Sequence, residues 1–419
     1  MLQLRRRCVF SLPPLLILMA LCGCQSAAEA QADQAVAAYF QGDYEQARTL
    51  LDPIARKTDE NFVLNNARLG STTLAEYHLT DAEDAFLRAY EVINSVGVNN
   101  GGRSLGAALI DEKIKVWKGE PFERAMVNFY LGLIYYMQHD YGNARAAFEN
   151  ALFKLRDYAD TDKPDSFTQA DSNFVLAYLM LAKSWQRLGE PEKAQSLFDQ
   201  FVKLRPDLAA LADARFNQNA NLLLVVEWGQ GPRKQTAFDG SIVGFGPKPE
   251  SAGPIYLPRV IVDGQPVDTE FLARPPVDLL ALAQDRRWQD IDTIRAVKSA
   301  LGSGLIAAGA VESMQRNRSQ QELGLALIAG GLLLKATSQA DIRQWEMLPR
   351  TVFLIPLHLT PGAHDVTVQF PGGLGQTWRH LIAPEKTDDT YYIRPTPWNA
   401  GPYQWPPPPL RSGAASAGP

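Results

Sequence analysis

The residues best placed for covalent chemistry lie near the start of the chain, at Leu21-Cys22-Gly23-Cys24. An aliphatic residue at −3 and a small residue directly before a cysteine make a lipobox. The thiol is first joined to a diacylglycerol, and a peptidase then cuts the bond before it. That peptidase needs a small side chain at the scissile bond, which Gly23 offers Cys24 and large Leu21 denies Cys22. The residues upstream agree. Arg5, Arg6 and Arg7 form a positive n-region, and Val9 to Ala20 is apolar apart from Ser11 and Pro13-Pro14. This core is too short and too broken by proline to cross ~30 Å of hydrocarbon, which takes about 20 residues, so it reads as a segment removed on export. An ordinary signal peptide with incidental cysteines is the alternative. Residues 1–23 are therefore expected to be a lipoprotein signal peptide, Cys24 the lipidated residue, and residues 24–27 a short linker. Gln25 follows the cysteine where an aspartate would signal retention at the inner membrane, which points to an outer-membrane anchor facing the periplasm.

Few other residues invite chemistry. The chain has three cysteines, Cys8, Cys22 and Cys24, so none lies beyond the lipobox and no disulfide is expected in the exported chain. No G-x-S-x-G, P-loop, H-E-x-x-H or Cys-His pair occurs, so neither an enzyme, a cofactor nor a metal is expected. Of the five histidines, His358, His364 and His380 fall on or beside neighbouring expected strands. A metal site there would need them to converge with a carboxylate such as Asp365, and surface histidines are the simpler reading. Removing residues 1–23 takes away three arginines and no acid, which moves the formal net charge from −5 to −8. With no basic stripe, nucleic acid is excluded as an expected partner.

These features need elements to carry them, and the first half of the 419 residues supplies a repeat. Leu131-Gly132, Tyr135, Asp140-Tyr141, Ala144, Phe148 and Ala151 fall at the spacing of a tetratricopeptide repeat. Gly132 and Ala144 let two antiparallel helices touch, and Tyr135 and Phe148 fill the space between them. A second copy has Tyr178, Leu181-Ala182, Trp185, Gly189-Glu190, Ala194, Phe198, Phe201 and the terminating Pro206. Weaker copies are marked by Tyr39, Gly42-Asp43-Tyr44, Ala47 and Leu51, and by Tyr77, Asp81, Ala85 and Ala89. The spacings of Ala47, Ala85, Ala144 and Ala194 exceed a period of about 34 residues, which places inserts around Gly97 to Gly119 and Asp157 to Asp171. The first helix of each pair would line a concave groove with Val36, Tyr39 and Phe40, then Leu74, Tyr77 and His78. Leu133, Tyr136 and Met137 follow, and then Lys183, Gln186 and Arg187. Tyr39, Phe40, Tyr77, Leu133, Tyr136, Met137, Lys183, Gln186 and Arg187 are the candidate partner-binding residues. The strip suits an apolar helix or extended peptide. The alternative is that the protein's own inserts fill it, because a bare aromatic strip is a solubility liability.

After about Arg215 the pattern changes. Leu222 to Glu227 reads as a buried strand, followed by a turn at Gly231-Pro-Arg-Lys234, where Arg233 and Lys234 form a candidate anion-binding turn. Pro254 to Val262, Thr351 to Leu359, Asp365 to Phe370, Trp378 to Ile382 and Tyr391 to Ile393 read as short strands. Between them, Ala296 to Val311 and Glu322 to Ala336 read as a Gly- and Ala-rich helical pair, a soluble hairpin or a shallow contact with the bilayer.

Three stretches resemble an uncharacterised family of bacterial tetratricopeptide-repeat lipoproteins. They are Gly119-Glu-Pro-Phe-Glu-Arg-Ala-Met-Val-Asn-Phe-Tyr130, the Gly231-Pro-Arg-Lys234 turn, and Ala340 to Pro349 with the following strand and Pro361-Gly362-Ala-His364. The family is often encoded beside lipoprotein activators of penicillin-binding proteins. The resemblance implies a cell-envelope role and assigns no activity.

The expected fold class is α+β, an N-terminal α-solenoid followed by a small antiparallel β domain with a helical insertion. The solenoid spans residues 28–215, the first strands 216–275, the insertion 276–348, the remaining strands 349–400, and a disordered proline-rich tail 401–419. The leading functional reading is a lipid-anchored envelope scaffold that binds protein partners through its repeats, in peptidoglycan synthesis or envelope assembly. The alternatives are a β domain that binds a glycan or peptide, with Trp378, Tyr391, Tyr392 and Trp398 exposed, and an unrecognised hydrolase.

Overall fold

The computed structural model describes residues 26–94, 116–155, 157–159, 168–170, 173–213, 220–237, 242–248, 253–268, 274–284, 342–371, 375–395 and 403–404. The signal segment, Cys24, the Gly- and Ala-rich pair 296–336, Trp398 and the tail after residue 404 lie outside the described residues.

The N-terminal region is a run of antiparallel helix pairs. They are α1 (Ala27–Gln41) with α2 (Tyr44–Ala55), α3 (Phe62–Ala75) with α4 (Leu79–Asn94), α5 (Pro121–Met137) with α6 (Tyr141–Lys154), and α7 (Val175–Arg187) with α8 (Pro191–Leu204). Local chemistry sets their ends. Ser26 and Glu29 form a reciprocal capping box that opens α1. Asp43 and Asp140 cap the second helices of their pairs by accepting the backbone N–H three residues on. Each first helix ends on a left-handed residue, Gly42, Tyr77, His139 or Gly189. Ala47, Ala85, Ala144 and Ala194 are buried, as the repeat spacing requires. Gly132 is needed outright, because a Cβ there would meet the Phe148 ring at 2.6 Å. Gly70 stands against Phe86 in the same way in the second pair. A small hairpin, β1 (Asp157–Ala159) with β2 (Thr168–Ala170), occupies the expected insert before α7.

The second region holds two packed sheets. In chain order its strands are β3 (Leu222–Trp228), β4 (Arg233–Ala237), β5 (Ile242–Gly246), β6 (Arg259–Val262), β7 (Gln265–Pro266) and β8 (Val277–Asp278). After the short helix α9 (Leu279–Gln284) come β9 (Thr351–Leu357), β10 (Gly362–Gln369), β11 (Gly375–Ala383), β12 (Asp389–Ile393) and β13 (Tyr403–Gln404). One sheet has the order β12-β3-β9-β8, the other β13-β11-β10-β6-β7, and β4 and β5 form a separate hairpin. The sheets are mixed rather than purely antiparallel, since β12 runs parallel to β3 and β13 parallel to β11. Two expectations are corrected here. Val277–Asp278 opens the segment expected to be helical yet pairs with β9, and Tyr403–Gln404 pairs with β11 inside the expected disordered tail.

Every residue of β3 and β9 is buried, because both faces of the first sheet are covered. Side chains alternate between those faces. On one, Trp228 and Phe353 pack on Phe370 of the second sheet. On the other, Glu227 and Tyr392 point into the helical array.

Candidate binding sites: a filled groove and an open cleft

The concave face of the helix pairs holds part of the same chain. Strand β12, with the residues on either side of it, runs along that face. Tyr39, Tyr136 and Lys183 are each at most 1% exposed beneath it. The side chains expected to meet a partner therefore meet Asp388 to Arg394. Leu133 and Tyr77 are buried too, and Phe40, Met137, Gln186 and Arg187 are half-buried. The occupant is the β domain rather than an insert between repeats.

One expected alignment is also corrected. Tyr39, Tyr136 and Gln186 each stand three residues before the left-handed residue that ends their helix, whereas Tyr77, at φ 63°, is itself that residue. The equivalent of Tyr39 is Leu74, and the equivalent of Lys183 is Ser71. Weak spacing in the second copy shifts the expected register by three. Tyr77 instead donates its hydroxyl to the Tyr392 carbonyl and packs on Trp378.

Two buried polar clusters fasten the occupant. In the first, Glu227 accepts hydrogen bonds from Tyr130, from Tyr392 at 2.7 Å and from Arg394 at 2.9 Å. Burial pushes the Glu227 carboxyl up from its ordinary value, with Arg394 and the two hydroxyls pulling the other way. In the second, Asp388 accepts from the Tyr136 hydroxyl at 2.9 Å and pairs with Lys183 at 3.3 Å and Arg187 at 2.6 Å. Burial alone would raise Asp388; the two cations outweigh it and hold the carboxyl below the usual range.

A second extended piece, residues 342–350, crosses between α3 and α5. Glu346 takes a bidentate pair from Arg68 at 2.7 and 2.9 Å. The Trp345 indole donates to Ser71, and its backbone N–H donates to buried Glu123 at 2.7 Å. Glu123 also closes a capping box with Glu120 at the start of α5. Burial pushes its carboxyl up to about 7, against the pull of Lys234.

The family-like stretches thus meet one another. Glu120 pairs with Lys234 at 2.8 Å, and the Lys234 backbone N–H donates to Gln344. Gly231 is required by close approach, since a Cβ there would lie 2.8 Å from the Leu348 carbonyl oxygen. Lys234 of the candidate anion turn is buried against Glu120, and only Arg233 is exposed. Trp378, Tyr391 and Tyr392, expected as an exposed aromatic surface, are buried at 2% exposure each. His364 is held by the Asp263 carboxylate at 2.6 Å and the Thr360 carbonyl at 2.7 Å.

An open cleft of about 740 Å³ lies between the last helix pair and the β domain. Val175 and Leu204 form one wall, and Ile255, Leu257, Val277 and Leu282 form the other. Leu257 and the neighbouring Tyr256 are exposed, Tyr256 standing edge-on to Trp228. Arg205 crosses the floor toward the Pro275 and Pro276 carbonyl oxygens at 3.5 and 3.4 Å, while Arg274 on the rim is exposed. Arg205 meets the carbonyls of Pro275 and Pro276 just before the edge strand β8, and neither proline has an N–H to donate, so this stretch of the cleft offers side-chain pockets rather than a strand to extend. No spacing or motif in the chain marks this cleft, because its walls lie far apart in sequence.

Residues 28–53 and 176–207 match family models described as tetratricopeptide repeat. No curated protein sequence matches the chain. Among solved structures, MamA is similar at 15% identity and a TM-score of 0.29, over 45% of this chain and 79% of that one. BtubC from P. vanneervenii is similar at 14% identity and a TM-score of 0.32, over 45% and 69%. A thermophilic tetratricopeptide protein of Thermus thermophilus is similar at 15% identity and a TM-score of 0.21, over 44% and 95%.

Proposed function

We propose that this chain is a lipid-anchored scaffold of the bacterial cell envelope, tethered through Cys24, that holds a protein partner without catalysing a reaction. Tetratricopeptide repeats generally mediate protein–protein contact, and two such repeats match here. The Leu21-Cys22-Gly23-Cys24 motif supports the anchor, and the family resemblance supports a place in peptidoglycan synthesis or envelope assembly. The observation that carries the reading is the contrast between a concave groove filled by the chain itself and an open cleft of about 740 Å³ with apolar walls and an exposed Arg274 on its rim. A partner therefore docks in the cleft, placing an apolar side chain between Leu204 and Leu257 and an acid near Arg274.

A photo-crosslinking residue at position 257 of the full-length chain in living cells tests this, with position 136 in the groove as control. The reading expects a discrete crosslinked envelope protein from 257 and none from 136, and loss of membrane fractionation in Cys24→Ala. Crosslinks from 136 alone, or full membrane retention of the Cys24→Ala protein, would overturn the corresponding part.

A further inference from the structure

A second cavity, apart from the docking cleft, lies where α7 ends against turns of the β domain. It holds about 470 Å³ and is open to solvent. Its walls come from four places in the chain: Arg187 at the end of α7, Asn221 just before β3, the turn His358 to Pro361 after β9, and the turn Glu385 to Thr387 before β12. Asn221 fastens these walls to one another. Its side-chain N–H groups donate to the carbonyl oxygens of Leu359 at 2.8 Å and Pro384 at 3.0 Å, and its side-chain oxygen accepts from the Leu359 N–H at 2.9 Å. Its backbone N–H donates to the Leu357 carbonyl, and its own carbonyl accepts from Asp389. The first turn is held a second time, because the Thr360 carbonyl accepts from His364 at 2.7 Å. The cavity is thus shaped by bonds within the chain, which lowers the ordering cost of binding.

The groups on these walls suit an anion with a small body. Arg187 borders the cavity with its side chain 23% exposed, while its Nη2 atom lies 2.6 Å from Asp388 Oδ1. A guanidinium offers five N–H donors in a flat fork, more than that pair takes up. Lys386 is exposed on the second turn. The hydroxyls of Thr360 and Thr387 add uncharged donors, and Leu359 and Pro361 give an apolar patch. Among the described residues here the charge leans positive, with Lys183, Arg187 and Lys386 set against Asp388 and Glu385. The stretch 214–219, which leads into this wall, brings Arg215 and no acid. A ligand with one negative charge evens the balance. A phosphomonoester carries close to two at neutral pH, and the second would stand against Glu385.

We infer that this cavity is a binding site for a carboxylate, held by the Arg187 fork and the Lys386 ammonium, with the small apolar body that bears it resting on Leu359 and Pro361. The planar guanidinium matches a planar carboxylate through two parallel N–H···O bonds. The carboxylate can belong to a free small acid or to the end of a peptide chain.

Calorimetric titration of the full-length chain with N-acetylalanine, followed also through the backbone amide resonances of Thr360 and Thr387, tests the site. N-acetylalaninamide, which lacks the charge, is the control. Wild type should saturate with the acid and not with the amide, and both resonances should shift. Arg187→Lys, which keeps the charge and loses the fork, should weaken binding by about tenfold or more. Lys386→Gln should weaken it by about fivefold, since this charge is exposed, and Glu385→Gln should tighten it by about twofold to fivefold. Melting curves identify any variant that fails to fold. Lys386 and Glu385 are exposed and stand outside the Asp388 pairs, so their variants keep the test decisive if Arg187→Lys unfolds. Acetylated trialanine with a free carboxylate separates the two sources: tighter binding than N-acetylalanine assigns a chain end, and equal or weaker binding assigns the small acid. The proposal is overturned by absence of saturable binding of either acid, by equal binding of the amide, by binding unaffected in both Arg187→Lys and Lys386→Gln, or by saturation with inorganic phosphate in place of the acids.

Discussion

The two faces of the sheet β12-β3-β9-β8 are buried to the same degree and by opposite means. Toward the second sheet, Trp228 and Phe353 meet Phe370 through apolar contact. Toward the helices, Glu227, Tyr392 and Arg394 meet Tyr130 through hydrogen bonds to a buried carboxylate. Apolar burial is non-directional and tolerates a slide of one surface over another. A buried carboxylate with three fixed donors does not, because any shift leaves charge unpaired at a cost of several kcal/mol. A helical-repeat groove is long and nearly periodic, so an apolar occupant could sit in several registers. The Glu227 and Asp388 clusters admit only one. The difference teaches that the helix-facing side sets position and the sheet-facing side contributes burial.

The largest expected effect breaks this division. Glu227→Ala should cost about 3–5 kcal/mol by leaving Arg394 buried without its partner. Phe353→Ala should cost a similar ~3–5 kcal/mol for a different reason, a cavity. The two separate on rescue. The pair Glu227→Leu with Arg394→Leu should recover much of the loss, since removing both charges removes the penalty. Denaturant unfolding of the four proteins measures this; a double variant as unstable as Glu227→Ala would show that the charge pair does not govern that face.

The next effect depends on pH. Glu123, which receives the Trp345 backbone N–H, is held up at about 7 from an ordinary 4.5. Between those values the folded chain holds a proton that the unfolded chain has lost. The stability it confers is complete below pH 4.5 and is lost as the pH rises through about 7. The difference in pKa corresponds to roughly 3 kcal/mol. Glu123→Gln should flatten that part of the stability–pH curve while Phe353→Ala leaves its slope intact. Equal slopes in wild type and Glu123→Gln would remove Glu123 from the titration.

Within the helices the effect is smaller. Ala144 is fully buried where α5 and α6 touch, and Ala144→Leu should overpack that contact by about 1–3 kcal/mol. An unchanged melting temperature would contradict the register. That register is legible in the sequence because each pair is a local unit, with Gly132, Ala144 and Phe148 close enough in the chain to show their spacing. The second pair reads three residues out because Tyr77 imitates a repeat tyrosine while standing at the helix end. The groove's occupant is not legible at all. Glu227 ends an apolar run that reads as a strand, Arg394 follows another, and nothing in a single sequence links positions so far apart. Even the Gly119 to Tyr130 stretch, visible as a motif, shows its use only where Glu120 and Glu123 meet Lys234 and Trp345.

The smallest stability effect carries the sharpest functional contrast. Leu257 is 41% exposed on the wall of the open cleft. Leu257→Ser removes apolar surface that the fold buries only in part, so stability should change by about 1 kcal/mol. Tyr136→Phe, in the filled groove, removes a hydrogen bond to the Asp388 carboxylate and should cost about 1.5–3 kcal/mol. Partner capture should run the other way. If the cleft is the docking surface, Leu257→Ser lowers crosslinked yield, because apolar residues set into pockets dominate interface energy, while Tyr136→Phe leaves the yield of folded protein unchanged. Melting temperature and crosslinked yield, measured together on both variants, give opposite orders for the two residues. Identical orders would mean that the cleft is packing surface and that the partner is held through the groove after the β domain has left it.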